Sequence, residues 1–228
     1  MIVSVHQPQY IPWLGYFDKI AKSDAFVFLD NVQYKEREFQ NRNKIRTAQG
    51  AAWLTVPVIS QGLGRQNISA VRIDNELDWK RKHLGGLRSA YAGSRYFSKY
   101  YPEFEAILAR EWEYLKDLNV AIIKYMLVEL SITTTISFES DLNIASTRSQ
   151  RIIDICRRLQ ADTYLSGSGG KDYLDVTLFS REKISLLYQE FRHPEYEQRF
   201  RPFLPLMSVL DLLFNCGPES RKILTGWE

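Results

Sequence analysis

The stretch MIVSVHQPQYIPWLGYFDKIAKSDAFVFLD, residues 1–30, decides the fold class. Residues 1–5, with valines flanking Ser4, read as a short strand buried in a sheet. From Trp13 to Ala21 the apolar residues Leu14, Phe17, Ile20 and Ala21 recur at helical spacing, and Pro12 stands at the entrance, where a first turn tolerates it. DAFVFLD at 24–30 is a second buried strand that ends in an aspartate. Strand, helix and strand in so short a span predict a βαβ unit, hence an α/β protein with a mostly parallel sheet. Ligands of such sheets bind beyond the carboxyl ends of the strands, which puts His6 and Asp30 on one edge.

The connection between strand and helix is unusual. Nucleotidylyltransferases of the α/β type carry HxGH there, with the glycine admitting a phosphate to the helix N-terminus. Here the spacing reads Trp13-Leu14-Gly15-Tyr16: the glycine is kept and both histidines are missing. The expected core therefore resembles that scaffold without its chemistry. His6 is a candidate general base, phosphate donor or orienting group, or else a core histidine bonded to backbone. Gln7, Tyr10 and Tyr16 supply a polar, aromatic mouth beside it.

Outward from this unit, the polar segment at 31–50 reads as a connection, 51–58 (AAWLTVPV) as a third strand and 68–74 (ISAVRID) as another. Residues 76–131 are mainly helical and form an additional layer or subdomain within a single domain spanning 1–228. An amphipathic helix at 147–161, a strand at 162–167 entering a glycine turn, a strand at 183–191 and a terminal helix at 204–217 complete the reading, with Gly217 as its C-cap. Two other stretches could carry chemistry. In NVQYKEREFQNRN, residues 31–43, Gln33, Lys35, Asn41 and Arg42 can donate to phosphate or carboxylate, although Glu36 and Glu38 suit a solvated loop equally well. In YLSGSGGKDYLD, residues 164–175, the glycines can present backbone N–H groups to an anion, or simply form a flexible turn. This is no P-loop, and the surroundings of Ser166 and Ser168 are no nucleophile elbow. Asp211 and Asn215 share a helix face and are read as holding a neighbouring loop. His83 and His193 have no partner that names a role.

Composition narrows the classes. Hydrophobic residues at 45% and charged residues at 25% are ordinary globular values, and a net charge of +3 admits an anionic substrate without indicating DNA. Cys156 and Cys216 lack metal-ligand spacing and are expected to be inert thiols; no metal or cofactor is expected. With neither a signal peptide nor an apolar run of spanning length, a cytoplasmic protein is expected.

Together, SVHQPQYIPWLGYFDKIAKSDAFVFLDNVQY, NRN, WLTVPV, YLSGSGGKDYLD and LPLMSVLDLLFN resemble the WbqC-like family of bacterial proteins, from the first strand to the last helix. The matching positions are His6, Gln7, Pro8, Tyr10, Pro12, Gly15, Tyr16, Asp30, Gln33, Tyr34, Asn41, Arg42, Ser166, Gly167, Asp172, Tyr173, Asp211 and Asn215. The resemblance implies a place in O-antigen (lipopolysaccharide) or related surface-polysaccharide biosynthesis, where a glycine transferase role has been suggested for the family.

The resulting expectation is a transferase that moves an aminoacyl group, glycyl by preference, onto the amine of a nucleotide-linked aminodeoxy sugar. The acyl donor is a carrier-protein thioester, an aminoacyl-tRNA or an adenylate. His6, Asp30 and Asp172 are the expected catalytic residues. Gln7, Tyr10, Gly15, Tyr16, Gln33, Lys35, Asn41, Arg42, Ser166, Gly167 and Tyr173 are the expected substrate contacts. The alternatives are a nucleotidylyltransferase-like enzyme that activates a carboxylate, and a non-catalytic sugar-nucleotide-binding module.

Overall fold

The computed structural model describes residues 1–226. The opening βαβ unit forms as expected: β1 (Ile2–His6), α1 (Leu14–Ala21) and β2 (Ala25–Phe28). With β5 (Thr135–Phe138), β6 (Thr163–Ser166) and β7 (Ser185–Tyr188) they build a five-stranded sheet, parallel throughout, in the order β5-β2-β1-β6-β7. The chain thus adds strands on one side of β1, then crosses back and adds them on the other. That reversal puts the topological switch point of a doubly wound sheet between β1 and β6.

Alternation along the strands divides the core. Val3 and Val5 of β1 and Ala25 and Val27 of β2 face Ile152, Ile153 and Cys156 of α5 (Arg148–Arg158) and Phe179 of α6 (Val176–Arg181). Phe26 and Phe28 point the other way, into a larger core with Leu14, Phe17 and Ile20 of α1. The helical layer joins that larger core: α2 (Trp79–Tyr91), α3 (Phe97–Ala109) and α4 (Leu115–Glu129) lie within 76–131, as the periodicity predicts. Two further helices close the chain, α7 (Val209–Cys216) and α8 (Ser220–Thr225).

Several boundaries differ from the sequence reading. Residues 51–58 do not extend the parallel sheet: β4 (Gly50–Thr55) pairs antiparallel with β3 (Arg42–Thr47) in a separate hairpin. β3 falls in the segment expected as a connection, since its residues are mostly polar; Asn43 and Ile45 are buried, whereas Arg42 and Lys44 lie over the exposed Trp53 ring, 4.4 and 5.0 Å from its centroid. Residues 68–74 are not a strand. They form a 3₁₀ turn (Ile68–Ala70) followed by single bridges from Arg72 to Tyr114 and from Ile73 to Val58. The terminal helix begins at Val209 rather than 204, and Gly217 ends it with φ 54°. No helix among the described residues is long and apolar enough to cross a membrane.

Candidate functional site

At the carboxyl edge, β1 stays paired with β2 through His6↔Phe28, but its pairing with β6 stops at Val3↔Tyr164. Beyond that point β1 and β6 part, and a cleft of about 230 Å³ opens between them. Its walls come from His6 at the end of β1, Trp13, Gly15, Tyr16 and Lys19 from the α1 region, and Gly167, Ser168 and Gly169 after β6. Gln189 and Phe191, just past β7, close the remaining side.

Each wall has a local cause. The Trp13 indole folds back over Gly15, so a Cβ there would collide with the ring carbons Cη2 and Cζ2. Only a residue without a side chain leaves the indole room to lie against the helix and meet Phe191 edge-on, with ring centroids 5.4 Å apart. Tyr16 is buried; its hydroxyl donates to the Gln7 carbonyl at 3.1 Å, and its ring meets the His6 imidazole edge-on at 5.0 Å. Lys19 is buried as well, and its Nζ donates to the Val5 carbonyl at 3.0 Å, just past the point where β1 and β6 separate. Gln189 Nε2 donates to the Gly15 carbonyl at 2.8 Å and to Asp18 Oδ2 at 2.6 Å, tying the end of β7 to α1.

Electrostatics follow from this burial. The His6 pKa is pushed down to about 3, first by burial and then by the charge of Lys19, while the Gln7 carbonyl 3.1 Å from Nδ1 acts the other way. The imidazole is therefore neutral at pH 7, and a carbonyl at Nδ1 puts the proton on that nitrogen, leaving Nε2 as the acceptor. Burial brings Lys19 down to about 7.

Of the residues singled out in the sequence, His6, Gly15, Tyr16 and Gly167 meet in this cleft. Gln7 borders it through its carbonyl, and buried Ser166 sits at the end of β6 with its hydroxyl donating to the Gly167 carbonyl at 3.0 Å. The remainder lie elsewhere. Asp30 shares the carboxyl edge but is buried past β2, accepting from the Ser140 N–H at 3.0 Å and hydroxyl at 2.8 Å and pairing with Lys116 at 3.4 Å. Asp172 and Tyr173 are exposed at the far end of the 3₁₀ turn Ser168–Asp172. Gln33 and Lys35 belong to the loop before the hairpin, with Gln33 bridged to Asn67. Asn41 donates to the Val56 carbonyl at 3.0 Å, and Arg42 donates to the Arg37 carbonyl.

Tyr10 is core. Its hydroxyl lies 2.7 Å from His83 Nδ1, while His83 Nε2 lies 3.1 Å from the Thr55 carbonyl. A carbonyl only accepts, so Nε2 carries the proton and Tyr10 donates to Nδ1. His83 thus clamps α2, β4 and the segment after β1, and burial lowers its pKa to about 4. Asp211 is likewise structural: Tyr91 and Tyr196 hydroxyls donate to it at 2.8 Å each and Gln198 at 2.7 Å. Burial keeps both cysteines as thiols, with pKa raised to about 12 for Cys156 and about 11 for Cys216.

Sequence reasoning missed Lys19, Gln189 and Phe191. A signal existed for Lys19, a charged residue one helical turn beyond Gly15 on the same face of the helix. Gln189 and Phe191 join the cleft through strand order, which has no local signature.

Comparison with known proteins agrees with the motifs. No solved structure matches the chain. It is 34% identical over 224 residues to a Mycobacterium tuberculosis protein named only as uncharacterized protein Rv1507c, covering 97% of this chain and 96% of that one. The model of the WbqC-like protein family matches residues 7–223, and the chain belongs to that family.

Proposed function

We propose that the protein is an aminoacyl transferase, glycyl by preference, acting on the amine of a nucleotide-linked aminodeoxy sugar in surface-polysaccharide biosynthesis. The observation that carries this reading is the neutral His6 imidazole facing a cleft at the switch point, opposite a wall of glycines. Amide formation requires a base for the amine and contacts for the developing oxyanion. The amine nitrogen bonds to the acyl carbon while the donor's C–S or C–O bond breaks. The amine proton passes to His6 and from there to the leaving group, and the backbone N–H groups of Gly167–Gly169 serve the oxyanion. A pKa near 3 is low for a base, but part of that depression comes from the charge of Lys19, which an anionic substrate would offset.

At about 230 Å³ the cleft takes the reacting end of the substrate, with the rest lying across the Trp13–Phe191 rim. The test is incubation with a UDP-linked amino sugar and each of glycyl-tRNA, glycyl adenylate and a glycyl thioester, with the product read by mass spectrometry. One added glycyl residue is expected, and no turnover with His6→Ala of unchanged circular dichroism; full activity in that variant would remove His6 as the base.

The strand order favours one other reading, an ATP-dependent enzyme that activates a carboxylate, because nucleotides bind at such switch points. Pyrophosphate release from ATP and a free carboxylic acid, without any sugar, would identify it.

A further inference from the structure

We propose that Lys19 is the cationic half of a phosphate-binding site in the cleft between β1 and β6, taking a phosphate or diphosphate of the substrate as its counter-ion. This rests on the reading of the cleft as the substrate site and names the group by which the substrate is held.

Lys19 is 3% exposed, and its Nζ reaches the Val5 carbonyl. None of the ion pairs among the described residues includes it. The neighbouring Asp18 carboxylate is engaged elsewhere, 2.9 Å from Lys22 Nζ and 2.6 Å from Gln189 Nε2. A buried ammonium without a carboxylate is costly, and one carbonyl leaves two of its N–H groups to be satisfied.

The cleft supplies the space for a partner. A Cβ on Gly167 would stand 3.9 Å from Lys19 Nζ, so the wall facing the ammonium is bare backbone there and again at Gly169. Among the described residues no carboxylate lines the cleft, so an anion meets no like charge from them on entry. Its place at the switch point, with glycines that let backbone approach closely, favours phosphate over a carboxylate ligand. Trp13 and Phe191 at the rim offer apolar surface to whatever the phosphate carries.

Proton linkage gives the site a signature. Lys19 sits near pKa 7, and an anion beside Nζ favours its charged form, so binding above that pH draws in a proton. The titratable groups facing it are His6 of β1, neutral across that range, and Tyr16 of α1, whose hydroxyl burial keeps protonated. Ser168 and Gln189, from the other two walls, do not titrate. Asp18 and Lys22 on its own helix are paired with each other.

The experiment is titration calorimetry of the full chain with inorganic pyrophosphate, UDP and ATP, in buffers of differing ionisation heat, at about pH 8 and about pH 6. Binding is expected with uptake of nearly one proton at the higher pH and less at the lower, with Lys19→Arg measuring the protons that the ligand phosphates exchange by themselves. Lys19→Met should weaken binding roughly tenfold or more and abolish the uptake. Lys19→Arg should restore affinity without uptake, since a guanidinium stays charged throughout. UDP binding more tightly than ATP would trace the phosphate to a nucleotide sugar, and the reverse order to an adenylating substrate; both support the site. No binding by any probe, or unchanged affinity and proton uptake in Lys19→Met, would overturn it. Phosphate binding without acyl transfer would sink the transferase reading and leave this site standing. Transfer undiminished in Lys19→Met would sink this site alone.

Discussion

Gly15 shows how much one residue decides. The missing side chain lets the Trp13 indole lie on α1, and that indole is one wall of the cleft. Gly15→Ala would push the indole off the helix, at about 1–3 kcal/mol for an overpacked contact. Urea unfolding should show that loss, and a red-shifted tryptophan emission should report the released ring; an unchanged midpoint would mean the indole has a second place to go. At this scale the sequence was informative about His6, Gly15 and Tyr16, whose types are odd for a strand-to-helix connection. It was less so about Tyr10, which has the same character but turns into the core to meet His83. Whether a polar aromatic side chain faces a cleft or a buried histidine depends on residues far along the chain.

Among the elements, the parallel strands and long helices were legible because their apolar periodicity is set by which face is buried. β3 was not, since its charges sit over an exposed tryptophan rather than in water alone. The 190–206 segment was equally opaque. It has no regular structure and is held to α7 through Asp211, which receives the Tyr196 and Gln198 donors. Because Tyr91 of α2 bonds the same carboxylate, Asp211→Ala leaves two buried hydroxyls without this acceptor and takes one of two acceptors from Gln198 Nε2. A loss of about 2 kcal/mol or more is expected, from buried donors left unsatisfied. Limited proteolysis should then cut within 190–206 before the rest of the chain, and uniform resistance would contradict this role for Asp211.

For the molecule as a whole, His6 and His83 set an acid limit. Native His6 and His83 hold pKa values of about 3 and about 4 against 6.5 when unfolded. Below about pH 6.5 the unfolded chain takes up protons that the native one refuses, so stability falls as pH drops toward 4. Lys19 acts at the other end: its lowered pKa makes stability rise from about pH 7 to about pH 9, above which the thiols of Cys156 and Cys216, raised by burial, act the other way. Urea midpoints between about pH 4 and about pH 9 should slope upward with pH, the acid limb flattening in His83→Gln and the alkaline limb in Lys19→Met. By itself the sequence determined the βαβ start, the parallel sheet, the helical layer and the family, because each is written in local periodicity or in contiguous motifs. Only the tertiary structure decided that β6 lies beside β1, that the two part past Val3, and that Lys19, Gly167 and Gln189 meet in the gap. Strand order is chosen by how the whole core packs, and no short stretch of sequence encodes it.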